Sequence, residues 1–268
     1  VFDFTEPVTP MSLLMAEDGK VNQMVATQML EGRGHKVIVV GNGKLAVEAF
    51  QDQSFDAILM DVQMPEMNGY EATAAIRELE SRADRKSHIP IIAMTANAMK
   101  GDREACIAAG MDDYVPKPVR SEELFTALEK YSKEGLTPVK AGQAPGGDRG
   151  KEEPAMVFDS EAFRKIATDS VLATTLIDLF HGEASEMMER AELAQKEENS
   201  EGLEHAAHSL KGLVANYGAV NALKTARKLN EMARSGEVSE ETARLVKQLR
   251  AQCEELETAL ENYKKALA

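Results

Sequence analysis

In the first half of the chain, short apolar runs rich in branched residues alternate with segments of helical period. The runs fall at 12–16, 36–40, 56–60, 90–94 and 114–115; the segments whose apolar positions recur every three or four residues lie near 20–32, 43–51, 69–81, 98–109 and 121–132. Five strands each followed by a helix predict an α/β fold, a (βα)5 doubly wound parallel sheet covered on both faces. Gly32, Gly34 and Gly110 stand where helices should stop, and Ser121, ahead of Glu122 and Glu123, reads as an N-cap followed by acids that the helix dipole favours.

The pattern changes in the second half. Residues 133–157 are rich in Gly and Pro and read as a flexible linker with an r.m.s. span of about 25–30 Å. Beyond it every long segment has helical spacing: a short helix near 160–167, then helices near 170–197, 200–216, 219–235 and 239–267 joined by short loops, which predict an all-α four-helix bundle. The divisions are 1–10 as a linker remnant, 11–132 as the α/β domain, 133–157 as linker and 158–268 as the bundle.

Composition narrows the function. With 268 residues and 43% hydrophobic content, two cores are affordable. The formal net charge is -14, and acidic side chains outnumber basic ones in both halves. That disfavours nucleic acid, whose binders present basic patches, and suits Mg²⁺ or basic partner surfaces. Cys106 and Cys253 have no partner at metal-ligand spacing and read as ordinary thiols of a reducing, cytoplasmic compartment. No apolar run approaches the roughly eighteen residues that cross a bilayer, so no membrane contact by these residues is expected. The chain starts at Val1 and reads as a piece of a longer protein, any inner-membrane anchor of which lies upstream.

Candidate chemistry gathers at the strand ends. Asp61 closes the third run, just before Pro65 and Asn68-Gly69 turn the backbone; Glu17 and Asp18 follow the first run, Thr95 the fourth and Lys117 the fifth. In a parallel sheet these ends share one edge, where ligand sites form. Three converging carboxylates call for a hard cation such as Mg²⁺, and a hydroxyl and an ammonium beside them make a cradle for a phosphoryl group. Taken singly, Glu17, Asp18 and Thr95 could cap helices and Lys117 could be a solvated charge; their falling together at successive strand ends favours phosphorylation of Asp61. Asp52, Asp56, Asp112 and Asp113 read as solvated or turn residues.

The segments Leu13-Leu14-Met15-Ala16-Glu17-Asp18, Leu59-Met60-Asp61-Val62-Gln63-Met64-Pro65, Met94-Thr95-Ala96-Asn97-Ala98 and Asp113-Tyr114-Val115-Pro116-Lys117-Pro118 resemble the receiver domain of two-component response regulators, especially receivers carried by hybrid sensor kinases. The resemblance implies that Glu17, Asp18, Asp61 and the Gln63 carbonyl bind Mg²⁺ and that Asp61 is the phosphoacceptor. It further implies that Thr95 and Tyr114 are switch residues, that Lys117 pairs with the acyl phosphate, and that the bond to Pro118 is cis. Gly19 departs from the Asn often found there in that family. The haloacid-dehalogenase-like phosphatases also use a strand-end aspartyl phosphate, but they place a second aspartate two residues on, where this chain has Gln63; the group is then stored or passed on.

In the second half, Leu203, Ala207, Leu210 and Val214 form a buried stripe at helical spacing, with His208 off it. Glu204, Lys211 and Gly212 lie one turn from His208. A helix-interior glycine costs about 1 kcal/mol relative to alanine; at Gly212 it leaves the imidazole accessible, while Lys211 sets a positive charge beside a phosphoryl group there. Imidazole is neutral and nucleophilic near physiological pH. His35, His88, His181 and His205 read as surface residues. The run Ala207-His208-Ser209-Leu210-Lys211-Gly212, with Asn216 and Gly218, resembles the histidine-containing phosphotransfer (HPt) domain, which implies phosphoryl acceptance on His208 with Lys211 as electrostatic support.

A receiver followed by an HPt domain resembles the C-terminal part of a hybrid sensor histidine kinase. The implied partners are an upstream histidine kinase domain and the receiver of a downstream response regulator, with Asp61 passing the group to His208. No Gly-rich ATP-binding segment is found, so the chain reads as a phosphorelay carrier. Alternatives of other classes are a receiver acting as a phosphorylation-dependent switch or brake beside an HPt domain serving another partner, a DNA-binding output protein, and a phosphatase.

Overall fold

The computed structural model describes residues 9–82, 88–95, 100–131 and 156–267, which fall into two compact units. The first 8 residues, the expected start of the fourth helix at 98–99 and the linker up to 155 lie outside the described residues.

The first unit is a five-stranded parallel sheet. Its strands β1 (Ser12–Ala16), β2 (Lys36–Val40), β3 (Ala57–Asp61), β4 (Ile91–Thr95) and β5 (Asp113–Pro116) lie in the order β2-β1-β3-β4-β5. They alternate with α1 (Lys20–Gly32), α2 (Gly43–Asp52), α3 (Gly69–Arg82), α4 (Lys100–Ala108) and α5 (Ser121–Glu129). The two-residue period of a strand sorts the apolar runs onto two faces. Leu14, Ile58, Met60, Ile91 and Ala93 enter one core, while Leu13, Met15, Leu59, Ile92 and Met94 enter the other. All are buried, and each of the larger side chains contributes about 1.5–3 kcal/mol. The strand order reverses between β1 and β3, which opens a crevice beyond their C-terminal ends.

β3 and β4 run one residue further than the apolar runs, taking in Asp61 and Thr95, because the ladder pairs backbone groups whatever the side chain; Asp61 stands opposite Met94. Ser121 is the first residue of α5 and not its N-cap; Arg120 occupies that position in extended conformation without a side-chain cap, and Glu122 and Glu123 remain in the first turn. α5 ends at Glu129, short of 132.

Several residues read as solvated are engaged. Strand starts leave backbone N–H groups that need acceptors: Asp56 accepts from Ser12 N at 2.8 Å, and Asp112 accepts from Ile91 N at 2.8 Å. Asp112 also receives Arg77 Nη2 at 2.8 Å and pairs with exposed His88 at 2.5 Å, while Arg77 Nε donates to Gly110 O at 2.9 Å. Asp113 pairs with Lys130 at 2.6 Å. His35 is buried, its Nδ1 accepting from Met11 N at 3.2 Å. The Lys117-Pro118 peptide is cis.

The second unit is helical: α6 (Ser160–Ile166), α7 (Ser170–Lys196), α8 (Ser200–Ala215), α9 (Val220–Arg234) and α10 (Glu240–Leu267). α7 packs on α8, α8 on α9, α9 on α10 and α10 back on α7, closing a four-helix bundle. Asp159, Asp169 and Asn199 cap α6, α7 and α8 with their side-chain oxygens. Among the described residues no helix is long and apolar enough to cross a membrane.

Candidate functional site

Asp61 is the last residue of β3, carried to the sheet edge by a fully buried run and itself buried. The chain then turns tightly enough for Gly69 N to donate to Val62 O at 2.9 Å. A Cβ on Gly69 would lie 2.2 Å from Asp61 O, a backbone atom with nowhere to move, so only glycine permits this closure. Asn68-Gly69 is legible as a turn, but this close approach is not.

The other strand-end residues converge as the topology requires. Glu17, Asp18 and Asp61 bring carboxylate oxygens within 4.8 Å of one another. Lys117 Nζ lies between two of them, 2.6 Å from Glu17 Oε2 and 2.6 Å from Asp61 Oδ2. Gln63 N donates to Asp61 Oδ1 at 3.3 Å. Thr95 is buried at the end of β4, where its carbonyl accepts from Lys117 N at 2.7 Å. Tyr114 is half-buried on β5, with the Arg103 guanidinium 5.9 Å from its ring centroid.

Burial raises the Asp61 carboxyl well above the usual range; Lys117 pulls it down, while Glu17 and Asp18 push it up. For Lys117, burial works against the ammonium, but Asp61 and Glu17 outweigh it and leave its pKa raised. The ammonium is therefore held charged, and one positive charge faces three carboxyl groups. That donor set fits a divalent, oxygen-seeking cation such as Mg²⁺, with Glu17, Asp18 and Asp61 in reach.

In the second unit, His208 lies in the middle of α8, one turn from Glu204, Lys211 and Gly212. The stripe Leu203, Ala207, Leu210 and Val214 is buried. α8 packs against both α7 and α9, and Ala206 and Leu213 are buried beside the stripe. His205 is half-buried, and its backbone carbonyl accepts from Ser209 Oγ at 3.2 Å. Asn216 caps the end of α8, and its Nδ2 donates to Gly212 O at 3.1 Å. A residue not singled out from the sequence, Tyr217, is fully buried and donates its hydroxyl to Leu176 O at 2.6 Å.

A parallel five-stranded sheet with an acidic, lysine-bridged edge, followed by a helical bundle with a mid-helix histidine, defines a class of signalling protein. Residues 13–129 match the response regulator receiver domain and residues 175–261 match the Hpt domain, so the chain belongs to the two-component phosphorelay proteins. Its relatives include hybrid histidine kinases. It is 32% identical over 225 residues to the sensor histidine kinase GacS of Pseudomonas protegens, covering 82% of this chain and 24% of that protein. It is 42% identical over 134 residues to hybrid signal transduction histidine kinase I of Dictyostelium discoideum, covering 47% of this chain and 8% of that protein. The chain thus spans a quarter or less of these relatives. Among solved structures, the receiver domain of the sensor histidine kinase PA1611 from Pseudomonas aeruginosa, described with magnesium in its active-site cleft, is 43% identical. That match has a TM-score of 0.42 and covers 46% of this chain and 98% of that one.

Proposed function

We propose that this chain is an intermediate phosphoryl carrier: Asp61 accepts the group from an upstream phosphohistidine and passes it to His208, which hands it to the receiver of a downstream response regulator. The observation that carries this reading is the buried Lys117 ammonium, 2.6 Å from both Glu17 and Asp61, beside Asp18. On this reading residues 11–132 act as receiver, 133–157 as flexible linker, 158–268 as HPt domain and 1–10 as a linker remnant, all in the cytoplasm.

In the first step an Asp61 carboxylate oxygen attacks phosphorus, the phosphorus–nitrogen bond of the donor breaks, and the donor imidazole, protonated on its other nitrogen, departs as a neutral base. Mg²⁺, held by Glu17, Asp18, Asp61 and the Gln63 carbonyl, would supply charge neutralisation at the phosphoryl oxygens. Lys117 and the Thr95 hydroxyl hold those oxygens, and Thr95 and Tyr114 respond to the new group as the switch. In the second step an imidazole nitrogen of His208 attacks phosphorus, the phosphorus–oxygen bond breaks, and Asp61 regains its carboxylate. Lys211 then sits one turn from the phosphoimidazole, as a cation for the added charge.

The test is acid- and base-lability of label after incubation with Mg²⁺ and a labelled small acyl phosphate or cognate kinase. Wild type holds both kinds of label, Asp61→Asn holds neither, and His208→Gln keeps only the base-labile aspartyl phosphate. If His208 never gains label through Asp61, the chain is instead a receiver switch tethered to an independent phosphotransfer module.

A further inference from the structure

The loop 62–68 is gripped from outside by the turn between β2 and α2. Asn42 Nδ2 donates to Glu66 Oε1 at 3.1 Å, and Gly43 N donates to Met67 O at 3.0 Å. The approach is close: a Cβ on Gly43 would lie 2.5 Å from Met67 O and 2.9 Å from Ala72 Cβ. Asn42 is buried and commits both polar atoms, since its Oδ1 accepts from Leu45 N at 2.9 Å to cap α2. Glu66 stands at φ 64, in the left-handed region, which costs a residue other than glycine about 1–3 kcal/mol and persists only where the surroundings over-determine it. The loop's own sequence therefore disfavours the shape that the neighbouring turn imposes.

We infer that Asn42 and Glu66 form a brace, seated by Gly43, that presets the 62–68 loop and with it the Gln63 carbonyl for the metal. Asn42, Gly43 and Glu66 are positioning residues, and their role rests on the reading of Glu17, Asp18, Asp61 and Gln63 as Mg²⁺ ligands. A loop ordered before binding spares the ion the cost of ordering it, which appears as affinity.

The experiment exchanges donor and acceptor in the full chain. Asn42→Asp keeps an oxygen to cap α2 but sets two carboxylates face to face; Asn42→Asp with Glu66→Gln re-forms the bridge, the new amide at 66 donating to the new carboxylate at 42. Glu66→Ala, at an exposed position, removes the acceptor without touching the cap. Mg²⁺ affinity is read by calorimetry, and amide exchange of residues 62–68 is read by NMR without metal. Asn42→Asp and Glu66→Ala are expected to bind Mg²⁺ about three- to tenfold more weakly and to exchange faster, with both properties largely recovered in the exchanged pair. Unchanged affinity in the single variants, or an exchanged pair as weak as Asn42→Asp, overturns the brace. A Glu17→Gln control separates the two readings: if it loses Mg²⁺ while the brace variants do not, only the brace falls. If it binds as wild type does, the ligand assignment falls and takes the brace with it.

Discussion

His35 shows how far one residue can depart from its sequence reading. It starts β2's approach as a polar side chain after a glycine, the setting of a solvated turn, yet it is buried against Phe125, with ring centroids 6.2 Å apart, and its Nδ1 accepts the Met11 amide. That bond leaves the neutral ring's proton on Nε2, which has no hydrogen-bond partner among the described residues. Burial first, and the neighbouring Arg33 guanidinium second, lower its pKa below the ordinary 6.5. The folded chain thus resists a proton that the unfolded chain takes up near pH 6.5. Stability is intact above that pH, declines as pH falls through it, and goes on declining down to the folded value. Urea midpoints measured at pH 7.5 and pH 5.5 should show a clear drop for wild type and a smaller one for His35→Gln, whose amide oxygen can still accept from Met11. An identical drop in both proteins would assign the acid sensitivity to other groups.

At the scale of elements, α8 carries the proposed phosphoacceptor His208, and its C-terminal end is moored by an aromatic cluster. Tyr217 stacks on Phe163 at 5.3 Å and meets Phe180 edge-on at 4.7 Å, while Phe158, just ahead of α6, and Tyr263 of α10 each meet Phe163 edge-on. Burial, with Glu183 adding to it, raises the Tyr217 phenol well above its usual range, so the hydroxyl stays a neutral donor to Leu176 O. Phe163→Ala removes a fully buried ring and is expected to cost the helical unit about 3–5 kcal/mol. Tyr217→Phe, which keeps the ring and loses one hydrogen bond, is expected to cost about 1 kcal/mol. Urea unfolding followed by circular dichroism ranks the two; equal losses would mean that the mooring is polar and the packing incidental. The helical period and the stripe from Leu203 to Val214 were legible in the sequence because they repeat within one element. The cluster was not, since its members come from three helices and from the segments flanking α6 and α8, and nothing local pairs them.

For the whole molecule, legibility follows topology. Once alternating strands and helices imply a parallel sheet, the C-terminal strand ends must share an edge, and Glu17, Asp18, Asp61, Thr95 and Lys117 are forced together whatever the loops do. What depends on loop shape, such as the closure at Gly69 or the grip of Asn42 on Glu66, has no period to betray it. The same separation into two units, each with its own core, gives a test of where the metal acts. A ligand bound by one folded unit stabilises that unit alone, by about 2.7 kcal/mol at a hundred times its Kd. Calorimetry of the chain should therefore resolve two transitions, of which Phe163→Ala lowers one and saturating Mg²⁺ raises the other. In Asp61→Ala, which removes one of the three carboxylates, the metal-sensitive transition should respond far less to Mg²⁺. A Mg²⁺ shift confined to the transition that Phe163→Ala lowers would move the metal out of the strand-end cluster and into the helical unit. A single transition, raised by Mg²⁺ and lowered by Phe163→Ala, would mean that the two units unfold as one.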